Sequence, residues 1–233
     1  MHNDGASSAH ELSSDPGVEL IEVLKYQGNI RGGRACLTPG PRGYERRMAQ
    51  QTLKGLRVAI LVAEGFEQVE MTKPRAALDD AGATTTLVSP ESGEVLAFNH
   101  HDHGDSFAVD LSLDDAKASD FDALVLPGGA LNPDKLRTLP KAVAFAKAFF
   151  DERKPVGAIC HATWTLIEAD VLKGRTLTSW PSLQTDIRNA GGTWVDKQVC
   201  EDGNLVTSRN PGDLPAFDEA LVAKFAEAQP ARR

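Results

Sequence analysis

The chain has 233 residues, 41% of them hydrophobic and 25% charged, enough apolar content for one sizeable core and a single soluble domain with room for appendages. A formal net charge of −8 argues against a nucleic-acid footprint, and no apolar run approaches the length of a membrane span. Three cysteines, at 36, 160 and 200, are an odd number without metal-type spacing; they fit a reducing cytoplasm better than a disulfide framework.

Residues 1–54 stand apart from the rest. Met1 to Gly17 is rich in Ser, Asp, Gly and His, and Gly28 to Arg47 is rich in Gly, Pro and Arg, without a sustained hydrophobic period. There is no basic segment followed by an apolar one, so a secretory signal is not expected. Such an extension buries too little to order itself, although Val18 to Tyr26 is a candidate strand or helix for docking on the domain that follows. Met48, just ahead of the first strong strand, is a candidate natural start.

From Leu56 the pattern becomes regular. Leu56 to Ala63 reads as a buried parallel strand, and Glu64-Gly65-Phe66-Glu67 leads into a helix from Gln68 to Ala81, closed by Gly82. Thr84 to Val88 is a β-branched strand, and Ser89 to Asp110 reads as turns and hairpin strands around His100-His101-Asp102-His103-Gly104-Asp105. Phe121 to Leu126 is a third strand, ending in Pro127-Gly128-Gly129, and Pro140 to Glu152 is an amphipathic helix. Val156 to Ile159 is a short buried strand, Cys160 its turn, and His161 to Ala169 a helix. Thr176 to Ser179 (strand), Ser182 to Ala190 (helix), two or three strands within Thr193 to Ser208, and a helix from Leu214 to Ala228 complete the chain. Strands alternating with helices predict a doubly wound, mainly parallel α/β sheet with helices on both faces.

Cys160 is the centre of this pattern. A strand-to-helix turn lifts a side chain out of the carboxyl edge of the sheet, where open α/β folds place ligands, and it faces the positive end of a helix. That setting predicts a depressed thiol pKa and places backbone N–H groups where an oxyanion would form. The dull alternative is a small buried apolar cysteine. Glu64, Glu67 and Glu70 lie at the mouth of the first strand-to-helix turn. Glu64 reads as a dipole-complementing surface charge, whereas Glu70 reads as a carboxyl that meets the sulfur and, held protonated, donates to it.

Gly128-Gly129 follows a buried strand at the same edge and permits close backbone approach to a substrate oxygen. His161 is the obvious basic partner, with one geometric objection: adjacent helical residues point about 100° apart, so contact with the sulfur is not required. The six histidines, at 2, 10, 100, 101, 103 and 161, leave none after the nucleophile, which excludes a glutaminase-type triad with a C-terminal histidine. The His100 to His103 cluster is read as a polar hairpin tip rather than a metal site, Cys200 as structural, and Trp180-Pro181 as a pocket wall.

Several stretches occur together in order: Ala-Glu-Gly-Phe-Glu-Gln-Val-Glu at 63–70, Ala-Leu-Val-Leu-Pro-Gly-Gly at 123–129, Lys-Pro-Val-Gly-Ala-Ile-Cys-His at 154–161, Leu-Lys-Gly-Arg at 172–175 and Val-Thr-Ser-Arg at 206–209. The chain from Leu56 to about Ala228 thereby resembles the PfpI intracellular cysteine peptidase family, in the superfamily that contains the parkinsonism-associated protein deglycase. The resemblance implies a flavodoxin-like sandwich of the class I glutamine amidotransferase type. It also implies a nucleophile at Cys160 with His161 beside it, Glu70 contacting the sulfur, Glu67 at an acidic family position, and Gly128 and Gly129 at the oxyanion turn. Dimers or hexamers are implied, with no cofactor and no metal. Members are described as peptidases, glyoxalases, deglycases or stress proteins, so the expected function is a cysteine-nucleophile enzyme acting on reactive carbonyls, glycated groups or peptides. The alternative is a redox-sensing or chaperone-like stress protein that uses oxidation of Cys160. Trp180, where relatives often carry Tyr or His, and the N-terminal extension depart from the pattern.

Overall fold

The computed structural model describes residues 52–227. The candidate docking segment Val18 to Tyr26 and the candidate start Met48 lie outside them.

Near the start of the described residues Leu53 is fully buried, and its N–H donates to the Ala81 carbonyl at 2.9 Å. Strand β1 (Arg57–Leu61) and the two-residue β2 (Phe66–Glu67) lead into α1 (Gln68–Asp80). The chain continues through β3 (Thr84–Ser89), the hairpin β4 (Glu94–Asn99) and β5 (Asp102–Ala108), β6 (Leu111–Ser112) and β7 (Ala123–Leu126). Helices α2 (Leu131–Arg137) and α3 (Pro140–Asp151) precede β8 (Val156–Ile159), and α4 (Thr163–Glu168) follows it. The remainder is β9 (Thr176–Leu177), α5 (Gln184–Asn189), β10 (Thr193–Trp194), β11 (Val199–Asp202), β12 (Leu205–Ser208) and α6 (Leu214–Glu227).

Seven strands form the central sheet in the order β11-β12-β8-β7-β1-β3-β6. Every pairing in it is parallel except the edge pair β11–β12. The run β3-β1-β7-β8-β12 reproduces the flavodoxin-like order, in which the chain first steps to one side of β1 and then returns to the other, opening a crevice at the carboxyl ends of β1 and β7. Because strand side chains alternate between faces, β1 divides its apolar residues between two cores. Val58 and Ile60 pack with Met71 and Leu78 of α1 and Phe217, Leu221 and Phe225 of α6. Ala59 and Leu61 pack with Phe145 and Phe149 of α3 and Leu166 of α4. The predicted sandwich with helices on both faces is therefore the observed one. Each fully buried Phe or Leu contributes roughly 1.5–3 kcal/mol relative to exposure, so both faces are needed to hold the sheet.

Two smaller sheets lie outside the central one: β9 with β10, and β2-β4-β5. The second carries the His100-His101 turn, and α1 holds it from below. Gln68 Nε2 donates to Asp105 Oδ2 at 2.7 Å, and the Asp105 N–H donates to Gln68 Oε1 at 2.8 Å. Gly104 permits this approach, since a Cβ there would meet the Gln68 amide oxygen.

Two elements differ from the sequence reading. The helix expected from His161 to Ala169 is a 3-10 turn, Cys160–Ala162, followed by the six-residue α4, so little helix dipole faces the thiol. Leu131–Arg137, to which the sequence reading assigns no element, is a helix.

Candidate active site

The carboxyl ends of β1, β7, β8 and β12 converge on a cleft of about 540 Å³ lined by Glu67, Glu70, Gly129, Cys160, His161 and Trp180, with His100 and His101 at its rim. Cys160 has φ +62°, a left-handed conformation rare for a residue with a Cβ, and its carbonyl accepts from the Trp180 N–H at 3.1 Å. Strain of this kind persists where surrounding structure imposes it and marks functional turns.

The unusual backbone removes the objection raised against His161. The 100° rule assumes right-handed α-helical backbone at both neighbours, and Cys160, which opens the 3-10 turn at φ +62°, departs from it; His161 Nδ1 lies 3.1 Å from Cys160 Sγ. The imidazole is held between two indoles, stacked on Trp180 at 5.7 Å and tilted against Trp164 at 5.2 Å. Burial lowers its pKa, which favours the neutral ring, able to accept a proton. Trp180 is 40% exposed and forms the outer wall, as the sequence suggested. Trp164 is fixed by a bond from Nε1 to Asp186 Oδ2 at 2.9 Å.

Glu70 is fully buried in the first turn of α1. Its Oε2 accepts from the Gly128 N–H at 3.0 Å, its buried Oε1 has no hydrogen-bond partner in the protein, and the carboxyl lies beside Cys160. Burial, and then the charge of Glu67, push its pKa up to about 8, so the carboxyl is neutral over most of the physiological range. A neutral carboxyl donates one hydrogen bond and keeps an acceptor oxygen.

The depressed thiol pKa expected at Cys160 is not found. Burial pushes the thiol up, and an ionised Glu70 would push it further, while the backbone N–H groups of His161 and Gly129 pull the other way. The physical reason is that the sequence shows a turn but not its depth, and 6% exposure leaves the sulfur little water. Reactivity must then come from proton transfer within the site: the thiol proton has an acceptor in neutral His161, and a protonated Glu70 removes the opposing charge and donates toward sulfur.

Glu67 sits at the start of α1 but does not cap it; its Oε2 accepts from the His100 N–H at 3.0 Å and lies 3.8 Å from His100 Nδ1. It thus anchors the rim turn, and its charge bears on Glu70. Glu64 is exposed and does not line the cleft, but it lies ahead of α1 rather than in its first turn, where the dipole-complementing reading puts it. Gly128 needs correction as an oxyanion donor. Its N–H is committed to Glu70, and its role is steric, since a Cβ there would come within 2.6 Å of Cys160 Cβ and 2.8 Å of the Ile159 carbonyl. Gly129, at φ +79°, is the glycine whose N–H faces the sulfur.

Among the described residues no group of three His, Cys, Asp or Glu side chains is placed to hold a metal. The His100-His101 turn is a hairpin tip as read, but it also forms the cleft rim, which the sequence reading missed. Cys200, on β11, donates to the Thr176 carbonyl at 3.4 Å, away from the cleft.

With this geometry in view, the comparisons with known proteins are decisive. The DJ-1/PfpI family model matches residues 56–224. The chain belongs to the DJ-1/PfpI family. It is 43% identical to Deglycase PfpI of Pyrococcus furiosus over 167 residues, 72% of this chain and 98% of that one. It is 42% identical to General stress protein 18 of Bacillus subtilis over 171 residues, 72% of this chain and 97% of that one. A Bacillus subtilis protein named Putative cysteine protease YraA is 41% identical over 162 residues, 70% of this chain and 94% of that one. The matched region of this DJ-1/PfpI member contains every cleft residue named above and no part of the extension. Among the described residues no helix is long and apolar enough to cross a membrane.

Proposed function

We propose that the chain is a cysteine-nucleophile enzyme of the stress response that acts on reactive carbonyls or the groups they glycate, works in the cytoplasm, and self-associates as dimers or hexamers. The observation that carries this reading is the pairing at Cys160: a neutral base, His161 Nδ1, at 3.1 Å and a buried carboxylic acid, Glu70, on the same sulfur. The names of the relatives, a deglycase and a general stress protein among them, support it.

For a dicarbonyl such as methylglyoxal, the sulfur attacks the aldehyde carbon while the thiol proton passes to His161 Nδ1. The carbonyl electron pair becomes an oxyanion that takes a proton from the site, giving a hemithioacetal. Loss of the proton on the former aldehyde carbon and its return to the adjacent carbon convert this to a thioester, with Glu70 or His161 carrying the proton. Water then releases the hydroxy acid and restores the thiol. No external oxidant enters, because one carbon is oxidised as its neighbour is reduced. With a glycated side chain the sulfur displaces the side-chain nitrogen at the hemiaminal carbon: the C–N bond breaks as the S–C bond forms, the nitrogen leaves with the proton taken from the thiol by way of His161, and the same hemithioacetal results. Peptide hydrolysis, suggested by the cysteine protease name, uses the same nucleophile but needs an acid placed on a leaving amide nitrogen.

The test is incubation with methylglyoxal, with a methylglyoxal-modified arginine peptide and with an unmodified fluorogenic peptide, comparing wild type with Cys160→Ala. Carbonyl or deglycation turnover lost in the variant supports the proposal. Turnover of the unmodified peptide alone would make the chain a peptidase. If no substrate is turned over and peroxide adds oxygen at Cys160 alone, the redox-sensor reading replaces it.

A further inference from the structure

The Gly128-Gly129 turn places one N–H on Glu70 and the next toward the sulfur, yet two adjacent glycines have little conformational preference of their own. Something outside the turn must impose its shape. Asn132, fully buried at the second residue of α2, is the side chain in position to do so. Its Nδ2 donates to the Pro127 carbonyl at 2.8 Å and to the Gly128 carbonyl at 3.0 Å, one amide proton for each. Its Oδ1 accepts from the Ala63 N–H at 2.7 Å, just past β1. This amide thus ties the chain leaving β1 to the glycine turn leaving β7, where the Glu67 N–H adds a longer bond of 3.3 Å to the same Gly128 carbonyl.

We infer that Asn132 is a positioning residue of the active site: its side-chain amide sets the Gly128-Gly129 turn so that the Gly128 N–H meets Glu70 beside Cys160. The inference rests on the reading of Cys160 as the reacting group, and it concerns how that group is tuned. Ordinary helix capping does not account for the amide, because both of its protons go to the preceding turn and its oxygen crosses to another strand. No other residue type of this size offers two donors and one acceptor in a plane. Asp lacks the donors, and Leu fills the same space with neither.

The test is the pH profile of Cys160 alkylation by iodoacetamide, which requires no substrate and so can succeed or fail independently of the proposed reaction. In Asn132→Ala and Asn132→Leu the turn that carries the Gly128 and Gly129 N–H groups past Glu70 and Cys160 is released, and alkylation at pH 7 is expected to fall roughly tenfold with the profile moved to higher pH, the size expected for losing a hydrogen bond to a charged acceptor. Leu136→Ala, which deletes a buried side chain of the same helix without touching the amide, should lower the melting temperature and leave the profile in place. A profile unmoved in the Asn132 variants, or moved equally by Leu136→Ala, would overturn the inference. Should neither Asn132 variant fold, hydrogen exchange of the Asn132 side-chain amide in the wild-type protein decides: slow exchange of both protons is expected, and exchange at the rate of a free amide would refute it.

Discussion

Glu70, in the first turn of α1, and Cys160, at the end of β8, share a dry corner, so that the charge on the carboxyl bears on the thiol. With Glu70 protonated the sulfur has a donor beside it; with Glu70 ionised it has a negative neighbour in a place where charge is poorly screened.

Alkylation of Cys160 should reveal this coupling. Above about pH 8, where Glu70 ionises in the wild type, Glu70→Gln removes the opposing charge and keeps an N–H donor, so it should react roughly tenfold faster than wild type. Glu70→Leu removes the donor as well and should be slower than Glu70→Gln at every pH. Superimposable profiles for the two variants would mean that Glu70 does not touch the sulfur.

The same carboxyl makes stability depend on pH. Its folded pKa of about 8 stands above its ordinary value of 4.5, so between these values the folded state binds more protons than the unfolded one. The resulting stabilisation is complete below 4.5 and is lost as pH rises through 8, by about 5 kcal/mol at most, each tenfold in proton affinity being about 1.4 kcal/mol. Urea denaturation at intervals from pH 5 to 9 should show the decline, and Glu70→Gln should flatten it.

Substitution at Cys160 should invert a common rule. Ala is normally more stabilising than Gly, but at φ +62° a Cβ is strained by about 1–2 kcal/mol, while the extra freedom of Gly in the unfolded chain costs about 0.4–1. Cys160→Gly should therefore melt no lower than Cys160→Ala, both being inactive.

Gly128→Ala drives a methyl group against Cys160 Cβ and the Ile159 carbonyl, neither of which is a flexible end that can move aside. Loss of at least 1–3 kcal/mol of stability and near-complete loss of thiol reactivity are expected. Crystals of a variant with ordinary reactivity would show that the turn can yield.

A chain beginning at Met48 should fold with nearly unchanged melting temperature and retain activity, since the described fold starts at Leu53. A changed oligomer by size-exclusion chromatography, or a fall of several degrees, would mean that the extension covers apolar surface.

The strands and the long helices were legible because their signals are local: buried runs such as Leu56 to Ala63 and Phe121 to Leu126, and the glycines that close helices. Cys160, Glu70 and Trp180 were legible from their places at strand ends. What the sequence concealed were properties of depth and direction. The thiol pKa depends on burial that no spacing displays. The contact between His161 and Cys160 depends on one left-handed residue, and helical geometry argued against it. The N–H of Gly128 was assigned to substrate because nothing in the chain announces that Glu70 takes it. Asn132 was missed because α2 is only seven residues long; Asn132-Pro133-Asp134 after Gly-Gly, a helix-start signature, was the available sign.

The rim of the cleft has a different construction from its floor. Cys160 and Gly129 follow strands of the central sheet and Glu70 stands on α1, whereas His100 and His101 belong to a separate hairpin attached through Glu67 and Gln68. Lengthening or rebuilding that hairpin leaves the register of the seven strands untouched. The rim and the reacting groups thus stand on different elements, joined at Glu67, and a hairpin graft from a relative that keeps Glu67 would alter the mouth of the cleft without redesigning the groups at its floor.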